Sequence, residues 1–220
     1  MFLELAEILD CPVCRDGYGL VAFVRGAERR RVLSGRLGCP ICEVEFPITD
    51  GVIDFGHAGE AGSETPEAHI DDPERSRVDP ELPVRLAALL GLGDREGLAV
   101  LLGAGLGGAG VAVARLGGRV EVVSVSPSAA ACDAWTVDDL SQGVDPVVGF
   151  GSRWPIRSGA LDGVALLAGS RADRDEAVRC LVPGGRLVVI EPADGWEDGL
   201  AAGVLDPVAA DAATWVGVRK

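Results

Sequence analysis

The sequence predicts an α/β protein in two parts, a small β-rich metal ribbon followed by a Rossmann-like, doubly wound, mostly parallel sheet. Three observations carry this expectation. Two Cys-Pro-x-Cys knuckles, Cys11–Cys14 and Cys39–Cys42, stand 24 residues apart. A polar, acidic stretch then sets them off from the rest of the chain. Beyond it, short apolar runs alternate with helix-like segments, and one run opens into the glycine-rich "LLGAGLGGAG" (101–110).

Taken in order, residues 1–55 form the Cys-containing unit. "LELAEIL" (3–9) reads as a short amphipathic helix leading into the first knuckle. "GLVAFVRG" (19–26) and "RRRVLSGRLGC" (29–39) read as a hairpin, and "EVEFPITDGVIDF" (43–55) as a further strand and turn. Residues 56–79 hold almost no large apolar side chain and cannot bury enough surface to offset ordering entropy, so they read as a linker or surface arm. Residues 80–220 begin with a Pro-led helix at "PELPVRLAALLGL". Five buried strands are expected at 97–105, 119–126, 145–151, 160–169 and 185–192. Helices are expected at 108–117, 127–135, 174–182 (ended by Pro183 and Gly184) and 196–212, with "TWVGVRK" closing as a strand. Apolar strands alternating with helices imply a parallel sheet covered on both faces.

Composition bounds the function. The chain has 220 residues, 48% of them hydrophobic but only 5% aromatic, so its core must be aliphatic. A formal net charge of −14 repels phosphate backbones and disfavours nonspecific nucleic-acid binding. The opening "MFLELAEILD" has acids and no basic region, unlike a signal peptide, and no apolar run reaches membrane-spanning length. A cytoplasmic protein is expected. In a reducing compartment clustered thiols read as metal ligands rather than disulfides. Cys132 and Cys180, on helices with apolar neighbours, read as buried structural thiols.

Each C-x2-C turn lets two thiolates face one cation. Two such turns joined by a hairpin give a tetrahedral site of Cys11, Cys14, Cys39 and Cys42, which suits zinc, with iron the less suitable ion. Four protein ligands leave no open position, so the metal is structural. A ribbon this small needs it: structural zinc can supply roughly 10 kcal/mol or more of folding free energy. Arg25, Arg29, Arg30, Arg31 and Arg36 cluster in the hairpin. They read either as a contact for RNA or an acidic partner, as a solvated tip, or as partners of the acidic linker.

"LELAEILDCPVCRD" and "GCPICEVEFPITDGVIDF" together resemble the small zinc-ribbon proteins that partner and activate methyltransferases. The resemblance covers residues 1–55 and implies docking on a class I methyltransferase through a strand edge and an apolar face, with no catalytic residue supplied.

"AVLLGAGLGGAG", "RVEVVSVSP", "RWPIRSGALDGVALL" and "EAVRCLVPGGRLVVIEP" resemble a class I S-adenosylmethionine methyltransferase over about residues 95–195. The resemblance implies a cofactor cradle at Gly103, Gly105 and Gly107, a ribose contact at Ser124 and an adenine contact at Phe150. Three family acids are replaced. Leu101 stands two residues before the first glycine, Ser124 stands for the ribose-binding acid, and Phe150 stands where an acid reads the adenine amine. Ser can bond one hydroxyl, without the charge assistance of a carboxylate. The family's closing two-strand unit is reduced to "TWVGVR". His57 and His69 both lie in the linker, Glu191 is an ordinary strand-end acid, and no catalytic set emerges.

Three readings follow. The first is a non-catalytic scaffold, binding or activator subunit with a degenerate S-adenosylmethionine pocket, meeting a protein partner or its own copy through the ribbon or a sheet edge. The second is an active methyltransferase with a built-in ribbon. The third keeps the fold and changes the nucleotide. The ribbon is expected to pack on the second half, in cis or between two chains.

Overall fold

The computed structural model describes residues 1–14, 17–56, 80–93, 98–103, 106, 109–117, 120–126, 144–148, 153–168, 171–193, 195–198 and 203–220. The expected linker from residue 57 onward and the expected helix at 127–135 lie outside these residues.

The ribbon opens with α1 (Leu5–Ile8) and continues as β1 (Val21–Glu28), β2 (Arg31–Gly38), β3 (Glu45–Thr49) and β4 (Val52–Asp54), an antiparallel meander. Alternation explains β3: Phe46 and Ile48 are buried, while Glu45, Pro47 and Thr49 are exposed. The second half holds α2 (Leu82–Leu90), β5 (Leu98–Leu102), α3 (Gly110–Leu116), β6 (Val120–Ser126), β7 (Val144–Val148) and β8 (Leu161–Leu167). It closes with α4 (Arg171–Cys180), β9 (Leu181–Ile190), β10 (Leu205–Ala210) and β11 (Thr214–Arg219). Pro83 sits in the first turn of α2, and Gly91 ends the helix at φ 72°, where its N–H reaches the carbonyls of Ala87 and Ala88.

One eleven-stranded sheet runs through both halves in the order β1-β2-β3-β4-β7-β6-β5-β8-β9-β11-β10. From β7 through β9 neighbouring strands are parallel, and β11 and β10 are antiparallel additions. Numbered within the second half alone, the order is 3-2-1-4-5-7-6, the arrangement of the methyltransferase type of Rossmann-like sheet. The ribbon packs in cis: β4 lies parallel to β7, with Ile53 opposite Val147 and Asp54 opposite Val148.

Two cores cover the sheet. On one face α2 and α3 enclose Leu86, Leu90, Val100, Leu102, Leu106, Val113 and Val122. On the other, a single cluster runs from ribbon residues Leu5, Leu9, Leu37, Phe46 and Ile53 into Leu101, Val123, Val147, Trp154, Ile156 and Ala177. The ribbon thus occupies part of the sheet face that α4 covers further along.

Two expectations are corrected. The expected helix over 196–212 is absent: 205–210 is strand β10, which pairs with β11. The closing two-strand unit is therefore complete. Asp211 makes the turn, its Oδ1 accepting the N–H groups of Ala213 at 2.8 Å and Thr214 at 2.7 Å. Pro183 and Gly184 do not end α4; the helix stops at Cys180, and both lie inside β9 where its register against β8 slips.

Candidate metal centre and cofactor loop

The first knuckle follows α1. Leu5 and Leu9 anchor that helix in the core, and Cys11 N–H donates to the Tyr18 carbonyl at 2.7 Å, closing the turn. The second knuckle leaves β2. Glu43 N–H donates to the Cys39 carbonyl at 3.0 Å, and Ile41 N–H to the Cys39 sulfur at 3.4 Å. β2 and β3 hold the two turns together.

The four sulfurs lie within 4.8 Å of one another, with Cys11 to Cys42 at 3.7 Å and Cys14 to Cys39 at 3.6 Å. A tetrahedral zinc with Zn–S near 2.3 Å needs sulfur separations of about 3.8 Å. The donor set and spacing therefore fit such an ion, and these four would hold it. Cys11 and Cys39 are buried, Cys14 is half-buried and Cys42 is exposed. Crowding sets their proton affinities apart. Cys14 is pushed up, chiefly by its hydrogen bond with Cys42. At Cys39 burial raises the thiol, but the N–H groups of Cys42 and Ile41, with the Cys14 and Cys11 thiols, draw it down to about 7. Such a thiol gives up its proton to a metal near neutral pH.

The hairpin arginines are largely spent on partners inside the chain. Arg29 pairs with Glu28 at 3.8 Å, Arg30 with Glu4, and Arg36 with Glu45 at 2.7 Å while lying over the Phe23 ring. Arg31 is buried and reaches Asp145 of β7 at 2.9 Å. This clustering reflects local pairing and the seam with β7.

Of the expected cofactor residues, Gly105, Gly107 and Phe150 lie outside the described residues. Gly103 follows β5 and donates its N–H to the Ala165 carbonyl at 2.9 Å. A Cβ there would come within 3.1 Å of Leu166 Cδ2 and 3.2 Å of that carbonyl, so packing against β8 already demands a small residue. Leu101, at the family's acid position, is fully buried among the apolar side chains of the ribbon-side core. Leu106 is also buried, on the opposite face with α3.

Ser124 was expected as the ribose contact of this strand. It sits inside β6, opposite Leu102 and Pro146, two residues before the strand ends at Ser126. Its hydroxyl is fully buried with no hydrogen-bond partner among the described residues. Ser126, opposite Val148, holds the strand-end position. Leu101 and Ser124 thus do not fit a ligand rich in hydroxyls and charge.

The sequence reading expected the ribbon to dock on the second half but did not find the residues that hold the seam. Among the described residues the Asp145 carboxylate is met from the ribbon: Arg31 Nη2 at 2.9 Å, Phe2 N–H at 2.8 Å and the Met1 ammonium at 3.6 Å. Farther along, Asp10 N–H donates to the Pro155 carbonyl, Arg157 N–H to the Ile8 carbonyl, and Arg157 Nε to Asp10 at 3.4 Å. An acid at the start of the apolar run "VDPVV" was the available signal, since a buried carboxylate needs a cation.

Residues 3–51 match the family described as Trm112p-like protein. No curated protein matches the chain. Among solved structures, an S-adenosylmethionine-dependent O-methyltransferase from Thermotoga maritima is 15% identical at a TM-score of 0.47, covering 64% of this chain and 66% of that one. A putative methyltransferase from Bacillus halodurans C-125 is 21% identical at 0.38, covering 49% and 50%. A predicted O-methyltransferase from Agrobacterium tumefaciens is 19% identical at 0.47, covering 61% and 79%. The chain spans about half to two thirds of the length of the first two. Its methyltransferase-type fold follows from strand order and direction. The chain joins a Trm112p-like zinc-ribbon domain to that fold.

Proposed function

We propose that the chain is a zinc-binding, methyltransferase-fold protein that works as a non-catalytic scaffold or binding subunit, stabilised by its own ribbon. The observation that carries this reading is Leu101. It stands where methyltransferases usually present an acid to the cofactor, and it is enclosed in apolar core. Ser124, enclosed in β6, offers nothing to a ribose, and neither Ser124 nor Ser126 restores a carboxylate. Hydrogen bonds to a ligand contribute about 1–3 kcal/mol each when charge-assisted, so losing two or three weakens binding by several orders of magnitude. Partners would meet the ribbon, and free thiolates suit a reducing compartment such as the cytoplasm. No helix among the described residues is long and apolar enough to cross a membrane.

Titration calorimetry with S-adenosylmethionine is the test. No heat of binding is expected up to millimolar cofactor; a micromolar Kd would overturn the proposal. The complete β10–β11 unit favours a second reading, an active methyltransferase with an in-built ribbon. In that case Gly105→Arg would abolish the micromolar binding.

A further inference from the structure

The ribbon and the second half share little backbone. β4 meets β7 in two register pairs, Ile53 with Val147 and Asp54 with Val148. Away from β7 the halves also join at the Leu9–Ile156 bridge and through the Asp10 N–H to Pro155 and Arg157 N–H to Ile8 hydrogen bonds, so on β7 itself only these two pairs set the register. A slip of one residue turns every β7 side chain to the other face, which the two cores forbid. A slip of two residues, about 6.6 Å, keeps the faces and would bring Asp145 opposite Ile53.

The buried charges penalise it heavily. Arg31 Nη2 donates to the Val144 carbonyl at 2.6 Å and to Asp145 Oδ1 at 2.9 Å. Arg31 Nε and Nη1 are buried with no hydrogen-bond partner among the described residues, and the guanidinium otherwise meets the Phe2 ring, 4.0 Å from its centroid. Glu121 of β6 is half-buried on the same face and attracts Arg31 more weakly. Arg31 thus takes its nearest carboxylate from β7, and among the described residues Asp145 takes its donors from the ribbon. Without Asp145, Arg31 keeps only the weaker attraction of Glu121; without Arg31, Asp145 keeps the Phe2 N–H and the more distant Met1 ammonium at 3.6 Å, so either loss leaves a buried charge poorly compensated.

We propose that the Arg31–Asp145 pair is the recognition element that fits this ribbon to its own β7. The ribbon's docking edge admits only a strand that carries a carboxylate at the Asp145 position, and a methyltransferase-type strand without that acid is refused. This holds whether or not the cofactor loop binds a ligand, so it stands apart from the scaffold reading.

The test starts from the whole folded chain. A specific protease site is placed between residues 57 and 79, and the folded protein is cut so that each ribbon stays only by its contacts. Isotope-labelled wild type and the unlabelled Arg31→Met/Asp145→Leu double variant are mixed in equal amounts, unfolded, refolded together and counted by native mass spectrometry. Matched pairings are expected to outnumber mixed ones at least tenfold; random pairing, half of it mixed, overturns the proposal. A second measurement covers failure of the double variant to fold. All four Trp residues lie beyond residue 80, so their fluorescence follows the second half, while labelling of Cys11, Cys14, Cys39 and Cys42 follows the ribbon. In the uncut chain Arg31→Met and Asp145→Asn are each expected to expose the ribbon thiols at lower urea than the Trp transition. Arg29→Met, at an exposed position paired with Glu28, leaves the two transitions together. Coincident, unshifted transitions in Arg31→Met would overturn the proposal.

Discussion

Replacing Ile53 by Ala should destabilise the half of the protein that does not contain it. Ile53 is fully buried on β4, faces Val147 across the seam and belongs to the same core as Leu101, Val123 and Trp154. The substitution deletes three carbons. At about 0.8 kcal/mol per buried methylene the transfer loss is about 2.4 kcal/mol, and the unfilled cavity raises the total to roughly 3–4 kcal/mol. With a urea m-value of about 2 kcal/mol/M the unfolding midpoint falls by roughly 1.5–2 M. Tryptophan fluorescence reads this, because Trp154, Trp196 and Trp215 all sit beyond the seam. Ile41→Ala, at a side chain 58% exposed, is the control and should shift the midpoint by no more than about 0.3 M. If Ile53→Ala advanced labelling of the ribbon thiols and left the tryptophan midpoint within that margin, the two halves would be separate cooperative units and the shared core would have no energetic meaning.

Two further outcomes follow from the same geometry. Stripping metal with a chelator at neutral pH should lower the tryptophan transition as well as unfold the ribbon, since Cys11 and Cys39 lie in the core that reaches Trp154; calorimetry showing an unmoved second transition would contradict this. Cys180 gives the pH dependence: burial drives its thiol up to about 12 from an ordinary value of 9.0, so the folded chain holds the proton more tightly than the unfolded one. That stability is complete below about pH 9 and is lost as pH rises through about 12, so the urea midpoints of wild type and Cys180→Ala should converge between pH 9 and 11 and keep a constant gap below pH 9.

The ribbon was legible because its signals are local. Knuckle spacing fixes the ligand set, and "FPIT" alternates with the period of a strand. The parallel strands were legible as apolar runs between turns. The error at 196–212 came from weighing alanines over turn chemistry: Ala209, Ala210, Ala212 and Ala213 suggest a helix, whereas Pro207 and the Asp211 turn specify a hairpin. Ser124 read as the strand-end residue, although the strand expected at 119–126 runs on to Ser126, as β6 does. The Arg31–Asp145 pair spans 114 positions, and no local pattern announces it. Arg31 read as one of five similar arginines, and only the fold separates it from Arg29 and Arg30.

The sheet also constrains how any partner could be met. A ribbon's strand edge is its means of docking, and here β4 is already covered by β7. The outer edges of the eleven-stranded sheet are β1 and β10. β1 carries Arg25 and slips register between Val24 and Ala27 against β2, and β10 carries Pro207 and slips between Pro207 and Ala209 against β11. Charge, bulges and proline are the features that keep edges from accepting another strand. Strand addition is therefore disfavoured at every edge. What the ribbon still offers is the outward face of its meander, where Val21 and Phe23 of β1 are about half exposed and stand beside Arg36 and Pro47. Side-chain packing on that face, not backbone pairing, is the contact these strands leave open.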